Sequence, residues 1–227
     1  MVMARDAATG PWAIELFTSQ GCSSCPPADA QLGKLVRRPD IVALSFHVDY
    51  WDYIGWKDPF ASRQSTERQR AYARVLKQRY VYTPEMVFDG AAHEPGDNRG
   101  EVDAMMQRAQ KRTPVRATPQ LTHAVDGPLT ITLADFKLEN GKADVTLTVY
   151  DRYHRTPVPR GENTGATLEN FNVVRRMESI GSWDGKAATW TVAADRFATG
   201  QGIAVLVQQA DHGPMLGCNK LEPAVAG

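Results

Sequence analysis

Two of the three cysteines in this 227-residue chain are separated by only two serines, in the segment Gly-Cys22-Ser-Ser-Cys25-Pro-Pro. This C-x-x-C spacing suits two thiols that open and close a disulfide. A helix N-terminus stabilises a thiolate through its dipole and its free N–H groups. Because the sequence predicts a helix that begins at the cysteines, we expect Cys22 to be the exposed attacking thiol and Cys25 the more buried resolving thiol.

Two other interpretations of the same pair remain open. The cysteines could form a permanent structural disulfide or stay inert as thiols. They could also bind copper or zinc together with His47, in a metal-binding or metal-delivery module. His47 falls within a predicted strand, which favours a histidine packed in the core over a metal ligand. The third cysteine, Cys218, is interpreted as an inert buried thiol, with the alternative of a third partner at the site if the end of the chain folds back on it. We expect no cofactor.

Composition narrows the classes of function. The formal net charge is zero and no long basic run occurs, so we expect no nucleic-acid partner. No window approaches the roughly 18 apolar residues that a membrane span needs. Three cysteines are too few for a disulfide-rich secreted scaffold, and the N-terminal segment lacks the apolar core of a secretory signal. These features leave a protein or a small thiol as the expected partner.

The pattern of apolar residues divides the chain into two parts. Residues 11–113 alternate between buried strands and amphipathic helices, with strands predicted at Ala13–Thr18, Ile41–Val48 and Glu85–Phe88. Beyond that part, short alternating runs separated by turn residues are typical of antiparallel strands. The sequence therefore predicts an α/β domain over residues 11–113 and an antiparallel, sandwich-like β domain over residues 114–220.

Polar and aromatic residues follow the second predicted strand. If that strand runs parallel to the first, its carboxyl end opens at the same edge of the sheet as the cysteines. This arrangement would bring Asp49, Trp51 and Asp52 to the site, where they would contact a substrate. A single aromatic residue is more often part of the core, but the two aspartates are hard to explain as core residues.

The second part of the chain carries a segment, Arg160–Gly165, that is richer in polar groups than an ordinary strand connection. We hypothesise that it forms a loop over the cleft between the two parts, which would place Glu162, Asn163 and Arg175 near the cysteines. The alternative is a β-turn in which Asn and Gly residues supply the backbone geometry. The sequence leaves both interpretations open.

Several segments of the chain together resemble one known family. They are ELFTSQGCSSCPPAD, HVDYWDYIGWKDPF, YTPEMVFDG, GENTGATL and NVVR, and the family is the uncharacterised "domain of unknown function 1223". Its members are thioredoxin-like with an appended β domain. The resemblance therefore implies an α/β thioredoxin-like fold over residues 11–113, followed by a C-terminal antiparallel β domain. It also implies a periplasmic or secreted location.

The thioredoxin resemblance assigns roles to three further residues. It implies a cis peptide before Pro84, with Thr83 facing the cysteines, where both residues would bind an extended partner. With one extra residue in the turn, it also makes Glu15 the buried acid that moves protons to the resolving cysteine. The alternative for Glu15 is an outward-facing residue on an edge strand. The sequence thus predicts thiol–disulfide exchange with a protein or small-molecule thiol, with metal delivery or a structural disulfide as alternatives.

Overall fold

The structure is a computed structural model that describes residues 10–123, 127–139 and 141–222. The first part of the chain forms β1 (Trp12–Thr18), α1 (Pro26–Leu35), β2 (Ile41–His47), α2 (Arg63–Val75), β3 (Glu85–Phe88), β4 (Ala92–Glu94) and α3 (Arg99–Arg112). The second part forms β5 (Gln120–His123), β6 (Leu129–Leu133), β7 (Ala143–Pro157), β8 (Thr167–Trp183), β9 (Ala188–Val192), β10 (Gly202–Gln209) and β11 (Met215–Leu221). A short 3₁₀ turn at Ala194–Arg196 precedes β10.

Capping side chains immediately before α2 and α3 determine where these two helices begin. Ser62 caps α2, because its hydroxyl oxygen accepts a hydrogen bond from the backbone N–H of Ser65 at 3.1 Å. Asn98 caps α3 in the same way, through its side-chain oxygen and the N–H of Gly100 at 2.9 Å. Both caps satisfy N–H groups that have no partner inside the helix.

The strands form one large mixed sheet and one small antiparallel sheet. The large sheet has eight strands in the order β11-β10-β7-β8-β2-β1-β3-β4, and the small sheet has the order β5-β6-β9. β1 runs parallel to β2, so that Thr18 and His47 lie side by side at the carboxyl ends of both strands. β3 runs antiparallel to β1 on its other side. The molecule is therefore a mixed α/β protein with few helices and a second, antiparallel sheet.

Apolar side chains cover both faces of the large sheet. Ile14 and Leu16 of β1 pack on one face against α1 and α3, and Phe17 packs on the other face against Tyr72 of α2. The small sheet covers the β7 and β10 end, where Ile131 belongs to the same apolar cluster as the inward side chains of those strands. Within the described residues, no helix is both long and apolar enough to cross a membrane.

The second part of the chain extends the sheet of the first part. β8 lies beside β2, where Ser45 and Val173 form a parallel pair, and β7, β10 and β11 continue outward from there. The antiparallel strands expected after residue 114 are present, but four of them belong to the large sheet. The division into domains at residues 113 and 114 stays a prediction. This junction matters for the site, because it brings the turn between β7 and β8 to the cysteines.

Candidate functional site

The two cysteines occupy the turn between β1 and α1 and are joined by a disulfide. Their Cα atoms lie 5.4 Å apart. Cys25 is the residue immediately before the helix, and two prolines fill the first helical positions. We expected the helix to begin at the cysteines themselves, and the structure corrects this by one turn. Proline lacks an N–H and has a preset φ, so the first turn is where it is tolerated best.

Both sulfur atoms are buried, although Cys22 was expected to be exposed. Cys22 and Cys25 each have 0 % of their surface accessible, whereas the serines between them are exposed. A distant segment is hydrogen-bonded to the turn that carries the pair. This segment, residues 158–166, is the turn between β7 and β8, and it is called the cover loop below. Two backbone hydrogen bonds close the base of this loop. The N–H of Val158 donates to the carbonyl oxygen of Ala166 at 2.9 Å, and the N–H of Gly165 donates to that of Val158 at 2.8 Å.

Two side chains of the cover loop hold it on the cysteine turn. The amide nitrogen of Asn163 donates to the carbonyl oxygens of Gln20 at 2.9 Å and of Cys22 at 3.0 Å. The carboxylate of Glu162 accepts from the hydroxyl of Ser23 at 2.7 Å and from its backbone N–H at 3.2 Å. The structure therefore brings Glu162 and Asn163 to the cysteines, from more than 130 residues away in sequence.

The loop before β3 borders the cysteines on another side. The Thr83–Pro84 peptide is cis, and the hydroxyl of Ser24 donates to the carbonyl oxygen of Thr83 at 3.5 Å. The indole N–H of Trp51 donates to the hydroxyl oxygen of Thr83 at 2.7 Å. Trp51 also packs on Gly21, since a Cβ at Gly21 would lie 3.2 Å from that of Trp51. Trp51, Thr83 and Pro84 are thus gathered around the cysteine turn.

The two aspartates proposed for the site make other contacts. Asp49 accepts a hydrogen bond from the hydroxyl of Thr66 at 2.6 Å, at the first turn of α2. Asp52 accepts from the backbone N–H of Asp58 at 3.2 Å, and burial raises the pKa of Asp52. Their described hydrogen bonds order the segment between β2 and α2 and do not reach the cysteines.

Arg175 and Glu15 also lie in separate arrangements. The guanidinium of Arg175 stacks on the ring of Phe60, 5.2 Å from its centroid, and lies 3.5 Å from a carboxylate oxygen of Asp151. Glu15 is buried, but its carboxylate pairs with Arg68 and accepts a hydrogen bond from Tyr72 at 2.5 Å. Among the described residues, Glu15 has no hydrogen bond to the cysteines, so its proton-transfer role stays a prediction.

Sequence reasoning missed two ionisable residues beside the cysteine turn, Asp29 and Asp58. Asp58 is 2 % exposed, and one of its carboxylate oxygens lies 2.7 Å from Nδ1 of the fully buried His47. Burial disfavours both charges, but their attraction outweighs it, which raises the pKa of His47 and lowers that of Asp58. The same carboxylate oxygen accepts the backbone N–H of Gln20 at 2.8 Å. The pair is therefore tied directly to the chain that leads into Cys22.

Asp29 follows Cys25 by one helical turn and is 5 % exposed. Burial raises its pKa to about 7, although the charge of His47 and a hydrogen bond from Thr18 oppose the increase. The spacing of four residues from Cys25 was the available signal in the sequence, since it places both side chains on one helix face. The proline that follows Asp58 is typical of a helix start, so the local sequence does not indicate a buried ion pair there.

The contacts of His47 bear on the metal alternative. Its Nδ1 faces Asp58. The sulfurs of Cys22 and Cys25, which would be the other two metal ligands, are bonded to each other. Within the part of the chain that the structure describes, no group of three His, Cys, Asp or Glu side chains is arranged to hold a metal ion. The cysteine turn therefore contains a buried disulfide, and the nearby His47 interacts with the carboxylates of Asp58 and Asp29.

Comparison with known proteins gives one family and one close structural neighbour. The family described as "Protein of unknown function (DUF1223)" matches residues 13–208. The crystal structure of an Agrobacterium tumefaciens protein from a structural genomics project is similar over 99 % of this chain and 98 % of its own, with 33 % identity and a TM-score of 0.82. No curated protein matches the sequence.

Two other solved structures match only weakly. An endonuclease/exonuclease/phosphatase from Beutenbergia cavernae has 16 % identity and a TM-score of 0.25, with 46 % of this chain and 22 % of its own covered. AA10A from T. fusca has 15 % identity and a TM-score of 0.27, with 55 % and 61 % covered. Neither similarity is close enough to bear on the fold or the site.

Proposed function

This chain belongs to the DUF1223 family of proteins of unknown function, and we propose that it is a thiol–disulfide oxidoreductase acting through Cys22 and Cys25. The observation that carries the proposal is the disulfide itself, which lies in the turn before α1 and beside Thr83. A thiolate released there lies close to a helix N-terminus, which stabilises negative charge. The partner is a protein or a small molecule that carries a thiol or a disulfide.

The order of the first elements supports a thioredoxin-like fold for this part of the chain. β1, α1 and β2 form a parallel β-α-β unit, and β3 and β4 follow as an antiparallel hairpin before α3. The four strands lie in the order β2-β1-β3-β4. In this proposal, Thr83 and Pro84 receive an extended segment of the partner next to the disulfide.

The proposed reaction begins with attack by a partner thiolate on the sulfur of Cys22. A bond forms between the partner sulfur and Cys22, and the electron pair of the broken disulfide leaves on Cys25. A second partner thiol then attacks the partner sulfur, releases the Cys22 thiolate and becomes part of the partner's own disulfide. The partner loses two electrons and the cysteine pair gains them. In the reverse direction the reduced cysteine pair returns both electrons, reduces a partner disulfide and closes its own.

In this proposal, the buried sulfurs become accessible when the cover loop leaves the cysteine turn. Glu162 and Asn163 hold the loop against the cysteine turn in the closed form. In the proposed function they leave the turn when the partner binds, and the partner then occupies the space beside Trp51 and Thr83. Asp49, Asp52 and Arg175 act at most through the loops they order, since their described contacts lie elsewhere.

Burial of both sulfurs favours a second candidate function, a structural disulfide in a binding protein. The reduction potential distinguishes the two. Exchange catalysts have potentials between about −120 and −270 mV, whereas structural disulfides lie below about −300 mV. The purified protein should be equilibrated in glutathione buffers, trapped with an alkylating agent and measured by mass.

A transition of two thiols within the range of exchange catalysts, assigned to Cys22 and Cys25, would support the oxidoreductase. The Cys25→Ser variant should then accumulate a mixed disulfide between Cys22 and glutathione, because the resolving thiol is missing. A Cys218→Ser protein is the matched control and should titrate like the unaltered protein. A disulfide that stays closed below about −300 mV would reject the exchange function in favour of the structural one.

A further inference from the structure

A cluster of buried ionisable side chains lies behind the cysteine turn. It consists of Asp29 on α1, His47 at the end of β2 and Asp58 before α2, and is called the buried acid–histidine cluster below. The Asp58 carboxylate is fully engaged: it faces His47 Nδ1 at 2.7 Å and accepts the backbone N–H groups of Gln20 and Phe60 at 2.8 and 2.9 Å. The other side of the cluster is not satisfied in this way.

Two buried atoms of the cluster have no hydrogen-bond partner among the described residues. They are Nε2 of His47 and Oδ1 of Asp29. Buried polar atoms almost always have a partner, so two exceptions in one cluster require an explanation. The second oxygen of Asp29 accepts a hydrogen bond from the hydroxyl of Thr18 at 3.2 Å. The free oxygen is therefore the atom of Asp29 that is available to hold or release a proton.

Asp29 lies one helical turn after Cys25. Its backbone N–H donates to the carbonyl oxygen of Cys25 at 3.1 Å, which is one turn of helix. Side chains four residues apart project from the same helix face, with Cβ atoms about 5–6 Å apart. Burial raises the pKa of Asp29 to about 7, so its carboxyl gains and loses a proton near neutral pH.

We propose that Asp29 gives a proton to the Cys25 sulfur when the disulfide opens and takes it back when the disulfide forms. This role rests on the proposed exchange function. As the partner thiolate bonds to Cys22, the electron pair of the broken S–S bond leaves on Cys25, and the proton of Asp29 moves to that sulfur. In the reverse direction, the Asp29 carboxylate accepts the Cys25 proton while the sulfur attacks the mixed disulfide at Cys22 and expels the partner thiolate.

The groups around Asp29 come from β1, β2, β8 and the segment before α2, and they set the pH at which it releases the proton. Thr18 of β1 stabilises its carboxylate by a hydrogen bond, and the positive charge of His47 and the nearby side chain of Asn170 of β8 also favour the charged form. Asp58 opposes them with its negative charge. Arg175 acts one step further away, by disfavouring the charged form of His47. Removal of the His47 charge should therefore raise the pKa of Asp29 further.

The test is the rate at which dithiothreitol reduces the Cys22–Cys25 disulfide between pH 5.5 and 9, divided by the thiolate concentration of the reductant. Acid quenching and alkylation with mass readout count the opened disulfides. The rate divided by the thiolate concentration is called the corrected rate below. In the unaltered protein, protonated Asp29 assists the opening of the disulfide below pH about 7, so the corrected rate should fall as the pH rises through that value. The Asp29→Asn variant should lose this fall in the corrected rate near pH 7. At pH 6 it should react roughly 100-fold more slowly than the unaltered protein, which is the lower limit of the usual contribution of general acid–base catalysis.

Two further variants separate proton transfer from a structural effect. Asp103→Asn removes a half-exposed carboxylate of α3 and should keep the unaltered profile. His47→Gln should keep the fall in the corrected rate but move it to higher pH, which a mere loss of packing would not do. Should Asp29→Asn fail to fold, the unaltered protein and His47→Gln decide: a corrected rate that does not vary with pH in the unaltered protein overturns the proposal.

The failures of the two proposals are distinguishable. Reduction with the same corrected pH profile in the unaltered protein and Asp29→Asn would remove the role of Asp29 and leave the exchange function standing. A disulfide that dithiothreitol leaves closed in every variant would refute the exchange function, and the role of Asp29 with it.

Discussion

The Asn163→Ala substitution should accelerate reduction of the buried disulfide, because it removes the side chain that fastens the cover loop. Asn163 donates two hydrogen bonds, to Gln20 at 2.9 Å and to Cys22 at 3.0 Å. A hydrogen bond of this kind contributes about 0.5–1.5 kcal/mol, so the closed form should lose about 1–3 kcal/mol relative to the open one. Since 1.4 kcal/mol corresponds to a factor of ten, the open population should rise about 5- to 150-fold.

The assay is the rate of disulfide reduction by dithiothreitol under native conditions, followed by quenching and mass readout. If the loop opens and closes faster than the thiol attacks, the observed rate follows the open population and rises by the same factor. Asn219→Ala is the matched control, because its amide also donates to a backbone carbonyl, that of Pro119 at 2.9 Å, in another part of the molecule. Circular dichroism and a denaturant titration must show that both variants remain folded.

A rate for Asn163→Ala within twofold of the unaltered protein would refute this reasoning. It would mean that the sulfurs become accessible by a motion that does not break the two hydrogen bonds. An equal acceleration in Asn219→Ala would also contradict it, because the effect would then come from general destabilisation.

Two further predictions concern buried groups away from the Cys22–Cys25 disulfide. Arg68→Met should lower the free energy of unfolding by about 3–5 kcal/mol, because it leaves the buried Glu15 carboxylate without its ion-pair partner. A denaturant titration measures this loss, and a value below about 1 kcal/mol would contradict the prediction. Cys218 should resist iodoacetamide at pH 8 in the native protein and react after denaturation, since burial raises its pKa to about 12. Equal labelling rates in both states would show that the thiol is accessible.

The sequence predicted those elements whose signals are local. The strand predicted at Glu85–Phe88 is confirmed, because a proline precedes it and an Asp-Gly turn follows it in the sequence. The start of α2 also has a local cause, because the hydroxyl of Ser62 caps the helix. Periodicity and caps were sufficient here because they depend on neighbours in the chain.

The features that escaped prediction depend on distant partners. Asn163, about 140 positions later, donates a hydrogen bond to the carbonyl oxygen of Cys22, and nothing in the local sequence of Cys22 carries that information. Val173 joins β8 to β2 through a pairing that alternation of residues does not specify. Asp29 was missed for a related reason, since a carboxylate in a first helical turn is normally explained by the helix dipole. Its burial follows from the elements packed around it.

The cover loop affects how fast different reductants react with the disulfide. A small thiol and a large partner both require the same opening, but only a large partner touches enough of the uncovered surface to hold the loop open. Ser23 and the carbonyl oxygen of Cys22, which lose Glu162 and Asn163 on opening, can then be satisfied by backbone groups of that partner. Closure would therefore act as a kinetic filter, slowing equilibration with the abundant small-thiol pool while a dedicated protein partner exchanges freely.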